Sequence, residues 1–408
     1  MGLSLYDRIR TYQTRRDHLL IGLMSGTSLD GIDAALVKVS TNADLAIESV
    51  SLEGFTYLPY TESLKSLILE LCSIETARID QLVRANAGLS EWYALTVKQL
   101  LEETKVTAED IDAVCSHGQT IWHAPEKASF PGPDAEMTVQ STLQIGDLST
   151  LVERTNIPVV GNFRTRDLAA GGEGAPLVPY ADYILFGDSN KNRILQNIGG
   201  IGNATVLTAG ASLEEVVAFD TGPGNIVIDG LMQIESQGRL SYDDGGKQAA
   251  LGSVNQELLD AYLQDTYYDR RPPKSTGREV YGRNFTKRFL EDGKNKGLSF
   301  SDIIATATAL TAKTITKAYK DFILPSVKVH EVILSGGGAH NQTLMQMIKQ
   351  DLPPEISLKT AKDFGVPDDA KEAMAFAVLG HETLMGRPSN VPSVTGAKKP
   401  VVLGNVCW

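Results

Sequence analysis

Two apolar periods run through the chain and together predict a mixed α/β protein. Residues 64–72 and 89–101 carry apolar side chains at helical spacing, which favours amphipathic helices. The Ala- and Thr-rich segment 304–324 predicts a packed helix that ends before Pro325. Short apolar runs typical of strands lie between these segments, at 111–115, 142–145, 157–160 and 329–334.

The most informative pattern is a strand, a Gly-rich polar turn and a second strand at residues 22–37. Exposed backbone N–H groups, two hydroxyls and an acid in such a turn can hold phosphates and a metal ion. A plain hairpin whose glycines supply positive φ explains this segment equally well by itself.

The rest of the chain repeats this layout. A second strand–turn–strand spans 193–207 around Gly199 and Gly200, and a third Gly cluster at 336–338 follows a strand. This plan resembles the actin-like ATPase and sugar-kinase superfamily. The resemblance implies a two-domain α/β actin-like/sugar-kinase (ribonuclease H-like) fold with a cleft between the domains.

The length of 408 residues also favours two domains. We expect domain I at 1–157 plus 370–408, with the first phosphate hairpin and the C-terminal helix. Domain II is expected at 158–369, with the second hairpin, a catalytic acid and an adenosine-side Gly turn. The segment 125–137 is expected to be a surface loop.

Charge and cysteine content restrict the class of protein. A net charge of −12 and a pI near 5.1 argue against nucleic acid as a partner. The three cysteines are far apart and lack metal-type spacing, which indicates a reducing compartment. Because the chain has neither a signal-length apolar run nor a membrane span, we expect a cytoplasmic protein with no membrane partner.

Asp220 is the strongest catalytic candidate. It lies at the predicted end of a strand and precedes a Gly-Pro-Gly turn, which would hold a general base rigidly. A turn-capping role is the structural alternative.

Other acids and two arginines are candidates for ligand contacts. Asp30 among phosphate-binding amides suggests a bound Mg²⁺, and Glu372 begins a predicted amphipathic helix, where an acid also suits the helix dipole. Arg164 and Arg166 precede Asp167; they could bind a sugar or simply pair with this acid. His117 and His123 have no third ligand nearby in the sequence, so we expect no zinc site.

Long blocks of the sequence resemble the anhydro-N-acetylmuramic acid kinase family, to which the fungal levoglucosan kinases are related. The resemblance extends from the first hairpin almost to the C-terminus. Its blocks are 22–37, 116–123, 142–147, 159–179, 197–203, 220–225, 273–279, 335–338 and 392–397.

The resemblance implies a kinase that uses ATP and Mg²⁺ to open a 1,6-anhydro sugar and phosphorylate O6, giving N-acetylmuramic acid 6-phosphate in cell-wall recycling. Asp220 would be the base that activates water for attack at C1. Asp30 and Glu372 would be the metal acids, and a homodimer is possible. Substrate contacts are expected from Thr120, Arg164, Asp167 and Glu372, and nucleotide contacts from Gly26, Thr27, Ser28, Leu29, Asp30, Gly31, Ile32, Asp33, Gly199, Gly200, Gly224, Asn225, Gly336 and Gly337.

Two alternatives stay open at this point. A levoglucosan-type kinase would use the same catalytic parts on an unsubstituted anhydro sugar. A nucleotide switch of the actin or chaperone type would leave Asp220 unexplained. One departure from the bacterial pattern bears on the sugar: Asn162 stands where those members usually have Asp.

Overall fold

The computed structural model describes residues 5–408, and within it the chain divides into two compact units. Unit 1 contains residues up to Leu185 together with Gly365–Trp408, and unit 2 contains Phe186–Phe364. No helix within 5–408 combines the length and the apolar character needed to cross a membrane.

Unit 1 is built on a seven-stranded sheet with the order β12-β6-β4-β1-β2-β3, with β5 paired to β4. Strands β1, β4 and β6 are parallel, and β2 and β3 run antiparallel to their neighbours. Its elements are α1 Leu5–Thr14, β1 Asp17–Ser25, β2 Gly31–Thr41, β3 Ile47–Pro59, α2 Glu62–Leu71, α3 Ile79–Thr104, β4 Ala113–Phe130, β5 Met137–Ile145, α4 Leu148–Thr155, β6 Val159–Gly161, α5 Thr165–Ala169, α6 Val178–Phe186, α14 Asp368–Leu384, α15 Pro392–Thr395 and β12 Asn405–Cys407.

Unit 2 carries a five-stranded sheet with the order β11-β10-β7-β8-β9. Strands β7, β10 and β11 are parallel, and β8 and β9 complete an antiparallel meander. Its elements are β7 Arg193–Ile198, β8 Ile201–Leu207, β9 Val217–Pro223, α7 Ile226–Glu235, α8 Lys247–Ala250, α9 Gln256–Tyr262, α10 Arg278–Tyr281, α11 Arg283–Asn295, α12 Phe300–Ala318, β10 Glu331–Ser335, α13 Gln342–Asp351 and β11 Ser357–Thr360.

The same five-strand pattern occurs once in each unit. In both sheets a three-stranded antiparallel meander continues into two strands parallel to the first, β3-β2-β1-β4-β6 and β9-β8-β7-β10-β11. This order and these directions are those of the ribonuclease H-like fold. The repeated hairpin layout in the sequence thus corresponds to the first two strands of each sheet, and the fold-class prediction is confirmed.

Several sequence expectations differ from the structure. The boundary predicted after residue 157 lies too early, because β6 pairs with β4 and belongs to the sheet of unit 1. The return to unit 1 begins at Gly365, slightly before the predicted residue 370. The predicted short strand at 111–115 extends to Phe130 as β4. The expected surface loop at 125–137 is confined to residues 131–136, because 125–130 belong to β4 and Phe130 pairs with Met137 of β5.

The sequence predicts that helix α14 is amphipathic, but the helix is buried over most of its length. It packs on the sheet of unit 1, where a side chain at Gly22 of β1 would overlap the carbonyl oxygen of Ala373. On the helix side, a side chain at Gly380 would overlap the Cys115 Sγ of β4. Glycines on both surfaces therefore allow the helix to approach the sheet closely. This packing leaves Asp369 and Glu372 accessible to solvent in the first turns of the helix.

Candidate functional site

The first hairpin connects β1 to β2 through residues 26–30 and presents polar groups to solvent. Thr27, Ser28 and Asp30 are exposed, and within 5–408 their backbone N–H groups donate no hydrogen bond. A row of exposed amides and two hydroxyls can accept an anion such as a phosphate. Gln119 holds the start of the turn, because its Nε2 donates to the Gly26 carbonyl at 3.2 Å.

The conformation of this turn differs from a simple glycine hairpin. The residue with positive φ is Leu29, at 59°, and its side chain is anchored in the core with 6% exposure. Gly31 lies in β2 instead, where a side chain would overlap the Leu58 carbonyl oxygen of β3. Of the predicted nucleotide-contact residues, Leu29, Gly31 and Ile32 are thus buried and support the turn from below.

Acidic side chains gather beside this hairpin. Burial, together with the charges of Asp369, Glu372 and Asp30, raises the pKa of Asp33 to about 7. Glu372 is accessible to solvent, but neighbouring protein atoms bury it in part, and this partial burial raises its pKa. The positive charges of Lys371 and Arg164 oppose the rise. Sequence reasoning missed Asp369; its only signal was an acid in the first turn of a helix.

These acids do not form a closed metal centre. Within 5–408, no three His, Cys, Asp or Glu side chains are placed to hold a metal ion by themselves. Mg²⁺ commonly keeps several waters and uses one or two carboxylates together with substrate phosphates. An open set of carboxylates next to a phosphate-type turn fits that mode of binding.

The half-buried Arg164 and the buried His117 form a hydrogen-bonded pair near these acids. The Nε of Arg164 donates to the Nε2 of His117 at 2.9 Å, and its Nη1 donates to the Gly174 carbonyl at 2.8 Å. Burial, reinforced by the Arg164 charge, lowers the pKa of His117 to about 3, so this ring stays neutral and accepts the bond. Burial lowers the pKa of Arg164, and the charge of Glu372 on α14 opposes this change.

Asp167 has a structural environment. It is wholly buried, and its Oδ2 accepts from the Gly174 amide at 2.8 Å. Its Oδ1 accepts from Asn390 Nδ2 at 2.7 Å and from Thr395 Oγ1 at 2.8 Å. The carboxylate thus fixes the loops around Arg164 instead of forming an Arg–Asp surface pair. A sugar contact of Asp167 stays a prediction.

Thr120 lies on β4 and is half-buried. Its Oγ1 accepts from Gln144 Nε2 of β5 at 3.3 Å. The neighbouring residue Gln119 contacts the first hairpin, so Thr120 lies on the same strand that supports this turn.

In unit 2, three Gly-containing segments meet at the carboxyl ends of β7 and β10, where α/β sheets commonly bind ligands. The N–H groups of Gly224 and Asn225 donate to the carbonyls of Gly200 and Gly199 at 2.9 and 2.8 Å. A side chain at Gly224 would overlap the Gly199 carbonyl oxygen. Within 5–408, the amides of Gly199 and Gly200 donate no hydrogen bond, so the second turn also offers N–H groups to an anion.

The third segment follows β10. Gly336 has φ of 83°, and a side chain there would contact Asn197 Oδ1 at 2.6 Å. Asn225 links the segments, since its Nδ2 donates to the Ile198 carbonyl at 3.2 Å. The structure thus brings Gly199, Gly200, Gly224, Asn225, Gly336 and Gly337 into one region of unit 2.

Asp220 lies on β9 and is half-buried. Its Oδ2 accepts from the Thr276 amide at 2.9 Å, and its Oδ1 accepts no hydrogen bond from residues 5–408. Burial raises the pKa of this carboxyl; the Thr276 N–H opposes the rise, Glu279 adds to it and Lys274 opposes it. The result is a carboxylate with one oxygen fixed and one available to take a proton.

Sequence reasoning did not assign Thr276 a role in holding Asp220. Thr276 lies within the block 273–279, but 56 positions separate it from Asp220, and only the folded chain brings them together. No local spacing in the sequence signals such a contact.

The chain matches known proteins over nearly its whole length. A family model for anhydro-N-acetylmuramic acid kinase matches residues 18–408. A protein named anhydro-N-acetylmuramic acid kinase from Caldanaerobacter subterraneus subsp. tengcongensis is 45% identical over 401 residues, covering 98% of this chain and 99% of its own. Proteins of the same name from Bacillus cereus (strain AH187) and Salinibacter ruber are 45% and 43% identical, covering 95% and 98% of this chain and 99% and 98% of their own.

Proposed function

The chain belongs to the anhydro-N-acetylmuramic acid kinase family, and we propose that Asp220 is the general base of its reaction. The protein is an ATP-dependent sugar kinase that phosphorylates anhydro-N-acetylmuramic acid in cell-wall recycling. The comparisons give no support to the levoglucosan-type kinase or to the nucleotide switch.

The environment of Asp220 carries this proposal. A base works best when its pKa lies near the working pH, and burial raises the pKa of this carboxyl toward that range. The Thr276 amide fixes Oδ2, so Oδ1 is the oxygen that receives a proton. Such fixation favours one productive geometry.

In the proposed reaction, hydrolysis of the 1,6-anhydro bond and phosphorylation of O6 occur together. Asp220 takes a proton from water while the water oxygen bonds to C1 of the sugar, and the C1–O6 bond breaks. O6 then bonds to the γ-phosphorus of ATP as the bond to ADP breaks. Because the phosphoryl group captures O6, no second carboxylate is needed to protonate the leaving oxygen, in contrast to an inverting glycosidase.

We propose phosphate-binding amides in each unit: those of Thr27 and Ser28 in unit 1, and those of Gly199 and Gly200 in unit 2. Their support is that these amides are left without partners within 5–408. Gly336 and Gly337 would take the adenosine side.

Asp30 and Glu372 are proposed to hold Mg²⁺, directly or through water, with Asp33 beside them. Carboxylate oxygens are the ligands that this ion prefers, and the open arrangement leaves positions for water and phosphate. When bound, Mg²⁺ neutralises the charge on the phosphate oxygens.

Arg164 is proposed to bind the sugar, together with Thr120. The guanidinium is already oriented by His117 and Gly174, which leaves its remaining N–H groups as a planar donor set.

A cytoplasmic location is supported by the three cysteines, all of which are free thiols. A homodimer is supported by the family resemblance alone.

The reaction can be tested with purified protein, ATP and Mg²⁺ in water enriched in oxygen-18. ADP release should be much faster with anhydro-N-acetylmuramic acid than with levoglucosan. Mass spectrometry should find one labelled oxygen at C1 of the product and none in the transferred phosphoryl group. Unlabelled product incubated in the same water controls for exchange at C1. Faster turnover of levoglucosan, or label in the phosphoryl group, would contradict the proposal.

A further inference from the structure

Three contacts fix Asp220, and all three come from the segment 267–276. The Asp220 amide donates to the Lys274 carbonyl at 3.1 Å, and the Tyr267 hydroxyl donates to the Asp220 carbonyl at 2.9 Å. The Thr276 amide donates to Oδ2 at 2.9 Å. We call Tyr267, Lys274 and Thr276 the Asp220 seat.

Lys274 also ties this seat together through its side chain. The residue is only 6% exposed, and its Nζ donates to the carbonyls of Tyr267 and Tyr268 at 3.3 and 3.2 Å. The ammonium lies 4.8 Å from the ring centroid of Tyr267 and 4.7 Å from that of Phe322. Both distances are typical of cation–π contacts.

The Lys274 ammonium is buried without a carboxylate in direct contact. Among residues 5–408, no Asp or Glu oxygen lies within ion-pair distance of its Nζ. Burial and, to a smaller extent, the cations Lys317 and Arg270 lower the pKa of Lys274 to about 8, and Asp269 and Asp321 oppose this change. The side chain is therefore charged at neutral pH despite the cost of burying a cation.

Asp220 gains from that charge. The groups that act on its carboxyl are the Thr276 amide, Glu279 and Lys274, and of the two charged side chains only Lys274 favours the ionised form. If Lys274 served only to hold two carbonyl groups together, its replacement would not change the pKa of Asp220. If its charge stabilises the carboxylate, removing that charge raises the pKa of Asp220.

We propose that Lys274 is a positioning residue for Asp220. Its ammonium fastens the segment that holds Asp220, and its positive charge stabilises the Asp220 carboxylate. This inference rests on the proposed role of Asp220 as the general base.

The test compares the pH dependence of kcat/KM in the wild type, Lys274→Met and Lys274→Arg. The acid limb of this profile reports the base that must be deprotonated in the free enzyme. Removing the cation raises the pKa of Asp220, so the limb of Lys274→Met should move to higher pH. A shift of about half a unit corresponds to a roughly threefold loss of kcat/KM on the acid side. Lys274→Arg keeps the charge and should return the limb to the wild-type position.

Two further variants keep this test decisive. Lys294→Met removes a cation from the same unit at an exposed position 3.9 Å from Glu235, and its limb should not move. Lys274→Gln retains a hydrogen-bond donor without a charge. It should reproduce the shift even if thermal unfolding shows that Lys274→Met does not fold.

An acid limb at the wild-type position in both neutral variants would overturn the role of Lys274, whatever happens to the plateau. The Asp220→Asn variant tests the role of Asp220 separately. If Asp220→Asn keeps both turnover and the acid limb, the limb belongs to another group and the proposed function fails.

Discussion

Arg164 contacts His117, 47 positions away, instead of the carboxylate that follows three residues later in the chain. The buried carboxylate of Asp167 accepts hydrogen bonds from Gly174, Asn390 and Thr395. The two residues therefore have different roles. The acid fixes the loop, and the arginine keeps N–H groups that its bonds to His117 and Gly174 do not use. A sequence motif that places Arg and Asp together does not distinguish these roles.

We expect Arg164→Lys to weaken sugar binding. Lysine cannot donate to His117 and Gly174 while also offering a planar pair of N–H groups. KM for the anhydro sugar should rise by roughly tenfold or more, as expected for the loss of a charged hydrogen bond, whereas KM for ATP should change little.

Steady-state kinetics with each substrate varied in turn checks this expectation. Arg166→Lys is the matched control, because Arg166 is exposed on the same short helix. Equal effects of the two substitutions, or an unchanged KM for the sugar in Arg164→Lys, would argue against Arg164 as a sugar ligand.

Among the elements, the contact between β1 and α14 positions the most site residues. It carries the first hairpin at the end of β1, and it leaves Asp369 and Glu372 accessible at the start of the helix. Gly22 belongs to the conspicuous Gly-rich segment of the sequence, but it packs against the Ala373 backbone and not against a ligand.

Gly22→Ala should therefore destabilise the protein. The new methyl would overlap a helix carbonyl, and such overpacking costs about 1–3 kcal/mol or more. Gly88→Ala provides a contrast in the same unit, because no atom lies within 4 Å of the added methyl on the exposed side of α3.

The Gly88 substitution should instead stabilise the helix by about 0.5–1 kcal/mol. Urea unfolding followed through the transition of unit 1 measures both variants. A midpoint for Gly22→Ala at or above that of the wild type would mean that the helix does not need this close approach.

The elements could largely be predicted from the sequence, since apolar periodicity is a local property. Helices α2 and α14 and the β7–β8 hairpin lie close to where the sequence predicts them. Helix α3 begins at Ile79, well before the predicted residue 89, and α12 ends at Ala318, before the predicted residue 324. In the β4–β5 hairpin the sequence predicts strand only at 111–115 and 142–145. The outer part of the hairpin is exposed on both strands and lacks a buried face. Alternating burial is the signal on which strand prediction depends.

The candidate site was predictable to a different extent. Asp220 and the three Gly turns are visible because unusual residues occur together in short motifs. Tyr267, Lys274 and Asp369 are not, because their relation to the site depends on contacts between segments far apart in the chain.

For the whole molecule, the chain contains the same five-strand order twice, each time with a Gly-containing turn between the first two strands. Both turns leave amides without partners among residues 5–408. The two units differ in the chemistry added to this shared plan. Unit 1 adds Arg164 and the acids beside the hairpin, and unit 2 adds Asp220 and its seat.

We therefore claim that ATP binding and water activation depend on different residues. Asp220→Asn separates them, because asparagine can still accept from the Thr276 amide but cannot take a proton from water. The exposed variant Asp260→Asn controls for the loss of one negative charge in unit 2.

The most direct measurement is the turnover of Asp220→Asn with anhydro-N-acetylmuramic acid, made together with its affinity for a non-hydrolysable ATP analogue. Loss of a general base predicts a fall in kcat of roughly a hundredfold to ten-thousandfold. The affinity for the nucleotide should stay within about twofold of the wild type, a difference of less than about 0.5 kcal/mol. Turnover close to that of the wild type, or a parallel loss of nucleotide binding, would contradict the claim.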